Sequence, residues 1–257
     1  MSARRSASVV HATVSPLLDA LRLPIRWLAR QEAVVLLTAF VVVLALFGFV
    51  ELVGEIREGE MHEFDAWLLR LVRRADNPAL LIGPRWLAEA VTDVTALGGT
   101  SILVIVVLCA IGYLALQQRY SAALFVFVAS AGGGVLSTGL KHVFARDRPD
   151  VVPHLVTVEG LSFPSGHSMA AAVIYLTLGA LLARFAAPRR IRVYVISTSL
   201  VLAFLIGITR VCLGVHYPTD VLAGWSAGLA WALLCWLGAR YLQYRGTVGA
   251  PGAHKSK

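Results

Sequence analysis

The sequence predicts an all-α, polytopic membrane protein with six transmembrane helices and an amphipathic helix at the interface between spans one and two. Three observations carry that prediction. Of 257 residues, 58% are hydrophobic and only 15% charged, and the mean hydropathy of +0.73 lies outside the soluble globular range. The apolar residues gather in long runs, and a segment crossing hydrocarbon must satisfy its backbone internally, which such runs do as helices rather than as a barrel. Charges stand away from those runs, apart from the cluster KHVFARDRPD, Lys141 to Asp150, at the end of the third.

Residues 1–32 form a basic N-terminal segment. Within it SPLLDALRLPIRWLAR places Ser15 before Pro16, an N-cap with a first-turn proline, and predicts a short basic interfacial helix broken near Pro24. The first span covers Ala33–Val50 and lacks a small-residue cleavage site after it, which predicts a retained anchor rather than a signal peptide. Next, in a segment over residues 60–76, Phe64, Trp67, Leu68, Leu71 and Val72 recur at helical spacing until Asn77-Pro78, the pattern of a helix lying on the outer leaflet.

The remaining spans cover Gly99–Leu116, Ser121–Leu140, Gly166–Ala183, Val193–Thr209 and Val221–Ala239. Small residues in AGGGVLSTG and at Gly224 and Gly228 predict close helix approach. Residues 33–240 are read as one membrane domain and 241–257 as a flexible tail. Cys109, Cys212 and Cys235 show no metal-ligand spacing and read as small packing residues.

Alternate loops carry unequal basic charge. One side, with both termini, holds fourteen Lys and Arg; the other holds nine. The positive-inside rule places both termini in the cytoplasm and the KHVFARDRPD stretch at the outer, periplasmic or extracellular, face of an inner-type cell membrane. The net charge of +8 suits anionic lipid headgroups, and nothing argues for nucleic acid.

Three outward-facing segments hold nearly all the polar residues near the ends of spans three to six. Lys141, Arg148 and Arg210 converge at a membrane boundary, where unpartnered charge is costly, and so imply an anion such as phosphate. Ser165 and Gly166, in PSGH, open the fourth span with a hydroxyl and backbone N–H groups, an anion site at a helix start. His167 follows directly. His216 and Asp220 are four apart, so the carboxylate can hold one ring nitrogen and leave the other free to attack, while His167 donates a proton to the departing oxygen. His11, His62, His142, His154 and His254 lack such company. Asp147 and Asp150 read as local partners of Arg146 and Arg148, with Arg146 outside the spaced pattern.

Lys141-x6-Arg148-Pro149, Pro164-Ser165-Gly166-His167 and Arg210-x5-His216-x3-Asp220 together resemble the three-part signature of the type 2 phosphatidic acid phosphatase superfamily. The resemblance implies that Lys141, Arg148, Ser165, Gly166 and Arg210 bind phosphate, that His216 forms a phosphohistidine oriented by Asp220, and that His167 protonates the leaving group, with no metal and no cofactor. Thr209 stands where the third motif usually has serine. The expected activity is hydrolysis of a membrane lipid phosphate or pyrophosphate: undecaprenyl pyrophosphate, phosphatidylglycerol phosphate or phosphatidic acid. A lipid A phosphatase or a phosphoryl transferase is the alternative within the same fold, and an anion channel or transporter is the alternative of another class. The sequence leaves the oligomeric state open.

Overall fold

The structure is a computed structural model describing residues 33–245. The basic segment 1–32, with its expected helix, and the residues past 245 lie outside it. Regular structure among the described residues is helical: α1 (Ala33–Glu58), α2 (His62–Leu71), α3 (Arg85–Ala96), α4 (Thr100–Leu116), α5 (Tyr120–Phe144), α6 (Gly166–Phe185), α7 (Arg189–Cys212) and α8 (Pro218–Tyr244). Packing divides the chain after Val41; residues 33–41 are the opening turns of α1, and the second unit holds the remainder of α1 with α2 to α8.

Five helices, α1, α5, α6, α7 and α8, are long and apolar enough to cross a membrane. A sixth span arises if α3 and α4, bent by 47° at their junction, count as one. The expected span Gly99–Leu116 is α4, only 17 residues long. Helix α3 is amphipathic, with Arg85, Glu89 and Asp93 four apart on its exposed face and Val91 and Thr95 buried, so it falls outside a pattern of long apolar runs. Side chains such as Leu44, Phe47, Leu108, Leu124 and Phe204 are more than half exposed, the outer surface of a protein bathed in lipid.

Helix α6 lies at the centre and packs against α4, α5, α7 and α8. Its approach to α8 is close because Gly224 and Gly228 face its backbone: a Cβ at either position would lie 2.7 Å from the carbonyl oxygen of Ser165 or Met169. The expected small-residue face of the last span therefore brings the starts of α6 and α8 together. The indole of Trp231 fills the corresponding space against Gly132 and Gly133 of α5.

Most helices overrun the expected spans. Helix α5 continues to Phe144 and α7 to Cys212, which puts Lys141 and Arg210 in their last turns; α8 begins at Pro218, with Asp220 in its first turn, and runs past residue 240 to Tyr244. A helix C-terminus carries partial negative charge and favours cations there.

Helix α2 is amphipathic as expected, with Phe64, Trp67 and Leu71 exposed, but it ends at Leu71, capped by Val72, rather than at Asn77-Pro78. Its protein-facing side is Asp65, Ala66 and Leu69. The buried face thus carries a carboxylate, which the apolar spacing alone does not indicate. Arg73, just past the helix, is buried and donates to the carbonyl of Pro153. Cys109, Cys212 and Cys235 are unpaired thiols.

Candidate active site

Three helix ends and two loops meet at one cavity of about 680 Å³. Lys141, Arg148, Gly166, His167, Arg210 and His216 all line it. Residues expected to act together from three separated segments are therefore neighbours.

Each cation is fixed from behind. Lys141 donates through Nζ to the carbonyl of Leu161 at 2.8 Å. Arg148 spends its guanidinium on backbone carbonyls, with Nε to Gly160 at 2.9 Å, Nη1 to Val215 at 2.9 Å and Nη2 to Glu159 at 3.0 Å. Arg210 donates from Nη1 to the Thr95 hydroxyl of α3 at 3.0 Å, and its buried Nε has no acceptor among the described residues. A buried, unsatisfied N–H on a cation calls for an anionic acceptor.

Ser165 does not line the cavity. Its Oγ accepts from Ser168 N at 3.4 Å and from Ser168 Oγ at 2.9 Å, capping α6, while its own N–H donates to the carbonyl of Asp220 at 2.9 Å. That cap presents Gly166 and His167 to the cavity in the first turn of α6, whose N–H groups have no intrahelical partner.

The imidazole of His216 is 2% exposed. Its Nδ1 lies 3.3 Å from Ser162 Oγ and 3.5 Å from Asp220 Oδ2, and Nε2 lies 3.4 Å from Arg148 Nη1. Ser162 donates a short hydrogen bond to Asp220 Oδ2, which also accepts from Tyr217 N at 2.9 Å. With acceptors behind Nδ1 and a guanidinium before Nε2, the tautomer that fits carries its proton on Nδ1 and its lone pair on Nε2. Burial lowers the His216 pKa to about 4, opposed by Asp220 and reinforced by Arg210 and Arg148, so the ring is neutral at pH 7.

Behind Asp220 stands Arg146. Rather than pairing with its neighbours Asp147 and Asp150, it reaches across the fold: Nη1 donates to Asp220 Oδ1 at 2.7 Å and Nη2 to Asp65 Oδ2 at 2.9 Å. Burial raises the Asp65 pKa, against hydrogen bonds from Thr219 and Arg146.

Sequence spacing alone does not identify Ser162, Thr95, Thr219, Asp65 or the part played by Arg146. Each contact joins residues far apart in the chain, and the one local signal was an acid inside the α2 segment.

The sequence model of the PAP2 superfamily, the type 2 phosphatidic acid phosphatases, matches residues 122–244. Phosphatidylglycerophosphatase B of Bacillus subtilis is 39% identical over 155 residues, covering 59% of this chain and 74% of that protein. The chain belongs to the PAP2 superfamily. Lipid A 1-phosphatase of Rhizobium etli is 36% identical over 120 residues, 43% of this chain and 47% of the relative. The crystal structure of a transmembrane PAP2 type phosphatidylglycerolphosphate phosphatase from Bacillus subtilis matches with a TM-score of 0.67 at 32% identity, covering 76% of this chain and 94% of that one. LpxE of Aquifex aeolicus shares the fold, with a TM-score of 0.50 at 24% identity over 66% of this chain and 92% of that one. This PAP2 chain is a membrane lipid phosphatase. Its PAP2 match begins after α1 to α4, so Asp65 and Thr95 reach the site from outside the matched segment.

Proposed function

We propose that the chain hydrolyses the terminal phosphate of a membrane lipid through a phosphohistidine on His216, without a metal, at the outer face of the membrane. One observation carries this reading. The cavity that holds Lys141, Arg148, Arg210, His167 and His216 continues between α4 and α5 along Leu103, Val107, Ile111 and Phe127. It joins a cationic head to an apolar groove. From Phe127 to Lys141 the groove follows α5 for about 21 Å at a rise of about 1.5 Å per residue, room for a lipid chain.

The geometry supports the following steps. Lys141, Arg148 and Arg210 hold the phosphate oxygens, with Gly166 at the start of α6. Nε2 of His216 attacks phosphorus, the bond from phosphorus to the lipid oxygen breaks, and that oxygen takes a proton from His167. The ring that has gained a bond to phosphorus becomes cationic, and Asp220 with Ser162 stabilises it from the Nδ1 side. Water then attacks phosphorus, His167 accepts its proton, the N–P bond breaks and inorganic phosphate leaves. The cations at the site are side chains, and they supply the charge stabilisation that this chemistry needs.

Phosphatidylglycerol phosphate leads the substrates, supported by the 39% identity to phosphatidylglycerophosphatase B. Undecaprenyl pyrophosphate and phosphatidic acid follow. The outer-face placement rests on the basic charge, fourteen Lys and Arg against nine, on the side opposite the site.

The test is phosphate release by detergent-purified protein from a panel of these lipids and a lipid A phosphate, with a chelator present. The reading predicts full turnover in chelator and highest kcat/KM on phosphatidylglycerol phosphate. Strict dependence on added magnesium contradicts the mechanism, and preference for another lipid contradicts the substrate.

A further inference from the structure

We propose that Asp65 on the interfacial helix α2 and Arg146 in the α5–α6 loop are positioning residues for this reaction, fixing Asp220 behind the nucleophile His216. This inference rests on the phosphohistidine reading above.

The geometry forms one connected chain. Asp65 is fully buried and meets only donors: Thr219 N at 3.0 Å to Oδ1, Thr219 Oγ1 at 2.6 Å and Arg146 Nη2 at 2.9 Å, both to Oδ2. Such a shell fits an ionised carboxylate. Arg146 also donates from Nη1 to Thr219 Oγ1 at 2.8 Å and to Asp220 Oδ1 at 2.7 Å, and its guanidinium lies 4.2 Å from the centre of the Tyr217 ring. The planar fork is thereby held in place on both sides, and one Asp220 oxygen is fixed by it. The other oxygen faces Ser162, Tyr217 N and His216. Asp65, Arg146 and Thr219 do not line the cavity, so they act on the reaction through Asp220 and not by touching substrate.

Two buried carboxylates share one guanidinium. Asp65 draws part of the Arg146 charge away from Asp220, leaving Asp220 negative enough to stabilise the cationic ring of the intermediate. The two residues therefore act on His216 with opposite electrostatic signs. Removing the charge at position 65 leaves Arg146 to neutralise Asp220 alone; removing Arg146 leaves Asp220 uncompensated. The other charged or titratable groups around the ring are Arg210 from α7, Arg148 from the α5–α6 loop, His167 from α6 and Lys141 from α5, and neither change alters them.

The experiment compares Asp65→Asn, Arg146→Gln, Arg146→Lys and His216→Ala with wild type on one lipid phosphate, reading kcat, KM and the acid limb of kcat/KM. Expected are kcat losses of about 10- to 100-fold for the first two, the size seen when a group orienting a metal-ligating side chain is removed, with KM unchanged. The acid limb moves to lower pH for Asp65→Asn and to higher pH for Arg146→Gln. Arg146→Lys retains the charge, so its limb stays at the wild-type position while kcat falls. Limbs of Asp65→Asn and Arg146→Gln that do not move, or that move the same way, overturn the proposal, as does a raised KM with kcat intact. Should Asp65→Asn fail to fold, the contrast between Arg146→Gln and Arg146→Lys decides, and coincident limbs in that pair overturn it. His216→Ala turning over at the wild-type rate instead overturns the phosphohistidine reading, whereas an inactive His216→Ala beside unmoved limbs removes only the role of Asp65 and Arg146.

Discussion

His216 and His167 are both histidines on one cavity, and their surroundings separate their tasks. His216 is backed at Nδ1 by Ser162 and Asp220, which leaves Nε2 as the atom that attacks in the proposed mechanism. His167 stands in the first turn of α6 beside Gly98, with no carboxylate partner among the described residues, a position suited to passing a proton to and from the substrate oxygen. His167→Ala is expected to lose about 10²- to 10⁴-fold in kcat on an alkyl phosphate, the usual contribution of general acid catalysis, and far less on an activated ester whose leaving group needs no proton. Parallel assays on the two substrates check this, and equal losses on both contradict the acid role. The cations and histidines were legible because three short motifs carry them at fixed spacing. Ser162, Thr95 and Asp65 were not, since each acts across a long stretch of chain, 154 residues in the contact from Thr219 to Asp65.

At the scale of elements, the site depends on two helix starts held together. The glycine face of α8 sets α6 close enough for Ser165 N to reach the Asp220 carbonyl, and the spacing of Gly224 and Gly228 had suggested close helix approach without naming the partner. Gly224→Ala puts a Cβ 2.7 Å from Ser165 O and 3.0 Å from Ser168 Cβ, neither of which is the end of a flexible chain. It is expected to destabilise the protein by about 1–3 kcal/mol through overpacking and to lower kcat by shifting His167 relative to His216. Gly112→Ala, with open space around its Cβ, is the control and should leave both unchanged. Thermal unfolding in detergent with parallel kinetics reads the two effects. Long apolar helices were legible from hydropathy alone. Helix α3 is short and amphipathic, so long apolar runs do not reveal it, and α2 showed its exposed apolar side while concealing Asp65, because periodicity marks which residues are apolar and not which face meets the protein.

For the whole molecule, polar chemistry is confined to one end of an apolar helical bundle. In the proposed function the phosphate enters from the membrane surface while its chain stays in the groove lined by α4 and α5. The orientation can be tested with single cysteines in a background lacking Cys109, Cys212 and Cys235. A cysteine at the exposed Thr157, in the loop before α6, is expected to react with an impermeant maleimide in intact cells. One at exposed Gln117, between α4 and α5, should react only after permeabilisation, and the reverse pattern places the site in the cytoplasm.

In the proposed mechanism the phosphoryl group passes through His216. This step is tested most directly by rapid quenching of the liposome-reconstituted protein during turnover of a lipid carrying a radiolabelled terminal phosphate. The account predicts label covalently bound to the wild-type chain, stable to base and lost in acid as an N–P bond is, and absent from His216→Ala. Equal labelling of the alanine variant, or phosphate release by it at the wild-type rate, contradicts the account.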